Sequence, residues 1–247
     1  MGRITDTVKV LLIINVIFFL GSQFVEVTYQ YFSLWFPYSE NFRVWQVFTH
    51  MFMHADVLHI FFNMFMLYMF GSHLENILGK NKLLILYFSA GLGSMILHLG
   101  VLYLDFWPGY DAMLSNGMSI EDVNTFLKTS SYPTSIAQFV SEDALYNTYT
   151  ANRNPMLGAS GAVFGLLAGF MILFPNLELM VFPIPIPVKA KYLIGGYFLL
   201  NVYSAITGHS IIGPSNTAYW AHIGGALIGF IMMYYWKKNS FNNKRWN

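Results

Sequence analysis

The sequence predicts an all-α polytopic membrane protein, a six-helix bundle with both termini in the cytoplasm. Three observations lead there. Of 247 residues, 55% are hydrophobic and only 10% charged, with a mean hydropathy of +0.48, which is too apolar for a water-soluble domain. Six apolar runs approach the length of about 20 residues that a hydrocarbon core of roughly 30 Å requires. The lysines and arginines collect on one side of those runs.

The runs lie near 8–29, 57–74, 83–104, 158–174, 190–207 and 218–236, bounded by polar residues or proline. The first has the composition of a signal peptide as well as of a span. Its removal would leave five spans, however, and Gly21-Ser22-Gln23-Phe24 is a poor small-residue cleavage site. The second run opens on a histidine-rich stretch. The third is followed by an outward segment at about 105–156, polar and holding six of the twelve acidic residues. Within it, Ser119 and Ser141 each precede acidic residues, the pattern of an N-capped short helix. A loop of this length either covers the surface or has a task of its own.

The fourth run is bracketed by Pro155 and Pro175. Before the fifth, Phe182-Pro183-Ile184-Pro185-Ile186-Pro187 reads as an extended cytoplasmic connector, because alternating prolines cannot continue a helix. The sixth ends at Trp236 and a basic tail, Lys237 to Arg245. Arg3, Lys9, Lys80, Lys82, Lys189, Lys191, Lys237, Lys238, Lys244 and Arg245 fall on one side, and Arg43, Lys128 and Arg153 on the other. That bias places both termini in the cytoplasm. Residues 1–247 read as a single membrane domain.

Composition also narrows the chemistry. A net charge of +1, with no basic patch outside the tail, offers nothing to a nucleic acid. With no cysteine, disulfides, thiolate metal sites and a cysteine nucleophile are excluded.

Ser160 stands in Gly158-Ala159-Ser160-Gly161 at the start of run four, and His222 opens run six. From Ser160 to Phe174 is 14 residues, about 21 Å of helix, which sets the serine about 9 Å below the outer edge of the core. His222 to Trp236 and His59 to His73 repeat that interval. All three runs travel inward, so the three polar groups reach similar depth. A non-helical approach at that depth must face protein or water, and Gly158-Ala159 therefore implies an aqueous pocket opening outward. Gly161, Gly165 and Gly169 on run four, and Gly225 and Gly229 on run six, recur every four residues and let two helices approach closely. A serine hydroxyl needs a base to become a nucleophile, and a helix start supplies unpaired N–H groups for the resulting oxyanion. Peptide hydrolysis within the membrane is the chemistry these residues predict.

His59 and Asn63, one helical turn apart, can both point donors at that pocket. His50, His54 and His59 also have spacings that suit zinc, but the stretch lacks the glutamate of the H-E-x-x-H pattern, so no metal is expected. Paired intramembrane carboxylates, which an aspartyl protease needs, are absent from the runs. His73, His98 and His209 read as structural. Asn201, a lone polar group within run five, reads as a helix-to-helix hydrogen bond.

Three segments together resemble the rhomboid family of intramembrane serine proteases: Thr49 to Asn63, Gly158-Ala159-Ser160-Gly161, and Ala221-His222-Ile223-Gly224-Gly225. The resemblance covers about residues 8–236. It implies Ser160 as nucleophile and His222 as general base, with His59, Asn63 and the Ser160 N–H forming the oxyanion hole. It implies structural roles for His54, Gly158, Gly161, Phe164 and Gly225, and for Glu75 and Gly79 at the inner end of run two. It implies membrane-anchored protein substrates cut in or near a transmembrane helix, no cofactor, and a multi-pass location in a bacterial cytoplasmic membrane. Three departures stand out: Gln46 where the family often has arginine, Phe164 where it often has tyrosine, and the long insertion before Ser160. The competing readings are a proteolytically inactive rhomboid-like membrane chaperone or substrate-binding protein, and a small transporter or channel. The first would typically lack the serine or histidine, and the second needs polar groups through the full thickness.

Overall fold

Each of the six apolar runs folds as helix in the computed structural model, which describes residues 3–181, 184–211, 213–214 and 217–240. In chain order the helices are α1 Asp6–Phe24, α2 Val27–Phe32, α3 Gln46–Thr49 and α4 Val57–Met66, which passes through a π turn, Leu67–Gly71, into α5 Ser72–Leu78. Then come α6 Lys80–Ser115, α7 Ile120–Thr129, α8 Glu142–Arg153, α9 Ser160–Leu173, α10 Ala190–Thr207 and α11 Tyr219–Ser240. The helices α1, the rod Val57–Leu78, and α6 are long and apolar enough to cross a membrane, and α9 is apolar but shorter. A two-stranded antiparallel pair, β1 Glu178–Val181 and β2 Ile184–Lys189, precedes α10. The proline-rich connector is thus extended as expected, although its Phe182 and Pro183 lie outside the described residues, as do Lys244 and Arg245 of the tail.

Run three departs most from expectation. Its helix does not stop near residue 104 but continues through Pro108 to Ser115, 36 residues in all and about 54 Å long, well beyond a bilayer core. Proline normally ends a helix by removing an N–H and crowding the preceding turn. Tertiary packing overrides it here. Beyond residue 104, Phe106, Tyr110 and Met113 are buried with Phe36, Met118, Val123, Phe126, Leu127, Ile136, Val140 and Leu145 in a second core outside the bundle. Thr148 on α8 donates its hydroxyl to the Phe106 carbonyl at 3.0 Å. The insertion is therefore a small folded cap.

Both predicted caps form. Ser119 accepts from the Asp122 N–H at 3.1 Å while Asp122 accepts from the Ser119 N–H, a full capping box, and Ser141 accepts from the Ala144 N–H. The cap rests on the loop between α2 and α3 through Phe36, through a 2.8 Å bond between the Tyr38 and Tyr110 hydroxyls, and through an exposed Lys128–Glu40 ion pair.

In the main core, Met51, Leu67, Leu74, Leu83, Leu86, Tyr87, Leu166, Phe170 and Met233 pack together. The helices α6, α9 and α11 meet there on glycine. A Cβ built on Gly225 would strike the Gly161 backbone, one on Gly229 the Gly165 backbone, and one on Gly161 the Ser94 side chain. Glycine is required at 225 and 229 because no side chain fits between the two backbones. At the far end of the same seam, Lys237 donates to the Ile172 carbonyl at 2.8 Å and so caps α9. Glu75 accepts from the Thr5 hydroxyl and from the N–H groups of Thr7 and Val8, closing the start of α1. Gly79, at φ +78°, ends α5 in the left-handed region.

Candidate active site

Ser160 is the first residue of α9, so the N–H groups of its opening turn lack helical acceptors. The chain reaches it through a pinned, non-helical approach. Met156 and Leu34 exchange backbone hydrogen bonds at 2.8 and 2.9 Å, and the Gly158 N–H donates to the His50 carbonyl at 2.9 Å. Gly158 takes φ +116°, where an L side chain is strained, and a Cβ there would lie 2.9 Å from the His59 ring. Both Gly158 and Ala159 are buried.

The Ser160 Oγ lies 2.9 Å from His222 Nε2. Phe164, one turn along α9, stacks on the His222 imidazole with ring centroids 4.2 Å apart and planes 10° from parallel. An aromatic face against the imidazole holds its plane without needing a hydroxyl. His222 is buried at 8% exposure.

His59 sits beside Gly158, its N–H capped by Asp56 at 2.8 Å, and His54 meets it edge-on at 5.0 Å. Asn63 is buried, and its Nδ2 donates to the His59 carbonyl at 2.9 Å, which leaves a second hydrogen on the amide. The structure thus brings Ser160, His222, His59, Gly158, Gly161, Phe164 and Gly225 around one point, with His54 behind His59 and Asn63 one turn below it. Two other histidines lie apart: His73 packs between Phe170 and Phe174 at the opposite end of α9, and His209 bonds the Thr207 carbonyl. Among the described residues, no group of three or more His, Asp or Glu side chains is arranged to hold a metal ion.

Two residues take on more than the sequence reading gave them. Gln46, which stands where the family often has arginine, is fully buried and organises the loop between α2 and α3. Its Oε1 accepts from the N–H groups of Trp35 and Arg43 at 3.3 and 3.0 Å, and its Nε2 donates to the carbonyls of Gln30, Tyr31 and Asn41. Asn201 does make a helix-to-helix hydrogen bond, but its partner is the site itself. Its Oδ1 stands 2.8 Å from His222 Nδ1.

Ser160 and His222 thus stand in hydrogen-bond contact at the start of a buried helix in a helical membrane protein. The Rhomboid domain family matches residues 41–239, and the chain belongs to the rhomboid family, which includes serine proteases. It is 27% identical over 187 residues to "Rhomboid protein 1, mitochondrial" of Saccharomyces cerevisiae, covering 76% of this chain and 40% of that protein. It is 28% identical over 190 residues to "RHOMBOID-like protein 12, mitochondrial" of Arabidopsis thaliana, covering 76% and 45%. To "Rhomboid protease AarA" of Providencia stuartii it is 26% identical over 191 residues, covering 76% and 54%. The chain spans about half or less of the length of these relatives.

Proposed function

We propose that this protein is an active intramembrane serine endopeptidase that cuts membrane-anchored proteins in or near a transmembrane helix. The observation that carries the reading is the 2.9 Å contact between Ser160 Oγ and His222 Nε2. Ser160 attacks the scissile carbonyl while His222 takes its proton, and His222 returns that proton to the leaving amine. The tetrahedral oxyanion faces the Ser160 N–H, His59 and Asn63; one such donor is worth about 10²–10³-fold in rate. Water then hydrolyses the acyl-enzyme.

The same proposal takes all six apolar helices as spans, with both termini in the cytoplasm and residues 1–247 as one domain carrying the outer cap. The charge bias supports that orientation. Of the possible membranes, the bacterial cytoplasmic membrane is our assignment. A fluorophosphonate probe is expected to label Ser160 in the reconstituted protein and to lose its target in Ser160→Ala and His222→Ala. Labelling that persists in Ser160→Ala assigns the nucleophile elsewhere. An unlabelled wild type that cleaves nothing in a broad panel of membrane-anchored substrates returns the protein to the class of inactive relatives.

A further inference from the structure

The hydrogen bonds around His222 do not end at the serine. Asn201 lies on α10, and its amide is oriented by two contacts of opposite sense. The Nδ2 donates to the Tyr197 carbonyl one turn back at 2.8 Å, which leaves Oδ1 as the atom 2.8 Å from His222 Nδ1. An amide oxygen only accepts, so the imidazole must carry its proton on Nδ1. The other ring nitrogen, Nε2, is then the bare lone pair that faces the Ser160 hydroxyl at 2.9 Å. Flipping the amide would set its oxygen against the Tyr197 carbonyl, two acceptors in contact with no hydrogen between them. Asn201 is 3% exposed, so water offers little competition for either bond.

We infer that Asn201 is a positioning residue, a third member that fixes the tautomer and orientation of His222 without itself taking up a proton. This rests on the hydrolase reading for its consequence, but not for its geometry. Without the acceptor, the neutral imidazole divides between its two tautomers, and the form protonated on Nε2 cannot take the serine proton. A neutral amide orients the ring without stabilising an imidazolium as a carboxylate does. The effect is accordingly confined to the fraction and alignment of competent base.

The test uses the full chain reconstituted in lipid, with a single-span reporter peptide carrying small helix-breaking residues. Asn201→Leu, close in volume but without an acceptor, is expected to lower kcat by about 10–100-fold with KM unchanged. Asn201→Asp, which keeps an acceptor oxygen at the same place, is expected to recover most of that loss. In a sample labelled with ¹⁵N-histidine, the His222 signals, assigned by their absence from His222→Ala, are expected to report a proton on Nδ1 in the wild type and a shift toward Nε2 in Asn201→Leu. A folded Asn201→Leu with wild-type kcat overturns the inference. So does an equal loss in Asn201→Leu and Asn201→Asp that tracks a lowered melting point, because that is the behaviour of a packing residue. A wild-type imidazole protonated on Nε2 overturns it whether or not the protein cleaves anything, whereas a wild type with the Nδ1 proton and no fluorophosphonate labelling sinks only the hydrolase reading.

Discussion

Replacing Gly225 by alanine asks how closely the α9–α11 seam controls the site. The added Cβ falls 2.7 Å from the Gly161 carbonyl carbon and 3.1 Å from its Cα, and nearer still to its oxygen. Carbon atoms in contact prefer about 3.7 Å, so the carbon contact alone makes the helices part by about 1 Å, the nearer oxygen asks for more, and backbone offers no rotamer by which to yield. Gly161 follows Ser160 directly, and Gly225 lies three residues after His222. The parting therefore appears almost whole in the 2.9 Å contact between Ser160 and His222, stretching it to about 4 Å, beyond hydrogen-bond reach. A misplacement of about 1 Å can cost 10²-fold in rate, and that is the expected fall in kcat. Gly169→Ala is the control, because there the nearest atoms are the ends of Met233 and Leu86 at 3.1 and 3.4 Å, which can swing away. Cleavage of a reporter peptide by both reconstituted variants, with melting points to establish that each is folded, decides the matter. A folded Gly225→Ala that cleaves at the wild-type rate, or a Gly169→Ala that loses as much, refutes the reasoning.

Two further outcomes are expected. Gln46→Arg, although it moves the sequence toward the family pattern, is expected to lower the melting point: arginine has no acceptor, so the buried N–H of Trp35 is stranded at a cost of about 1–3 kcal/mol and the Arg43 N–H loses its partner, and an unchanged melting point contradicts this. Ser119→Ala is expected to cost about 1 kcal/mol at the start of α7, seen as faster amide exchange in that helix. The hydrogen bonds from Ser119 hold the Asp122 carboxyl below its ordinary value. Its contribution is therefore present above the usual aspartate range and fades as pH falls through the depressed value, so acid should lower the α7 protection factors, taken relative to intrinsic exchange at each pH, in the wild type and do less in Ser119→Ala.

What the sequence made legible follows from how local each signal was. Ser160 and His222 were conspicuous because polar groups at helix starts in apolar surroundings are rare, and the four-residue glycine spacing of α9 and α11 indicated where the two helices touch. Ser119 and Ser141 announced their caps within three residues. Asn201 was seen but given a generic partner, because its bond crosses between α10 and α11 and nothing in the sequence names the other end. The role of Gln46 is hidden for a related reason: its amide both donates and accepts, and the loop has folded around that pair of abilities. The length of α6 was hidden by Pro108, whose local instruction to stop is overruled by the aromatic cluster around Phe106 and Tyr110, assembled from residues up to 70 positions away.

That unbroken α6 has a mechanical meaning. A domain tethered by slack linkers can rock without disturbing its base, but the outer cap is built on the continuation of a helix whose inner part, at Ser94 and Ala90, walls the crossings at Gly161 and Gly165. A protein that grips the cap and tilts it leans on a lever with no joint, and the other arm of that lever rests against the helix that carries the serine.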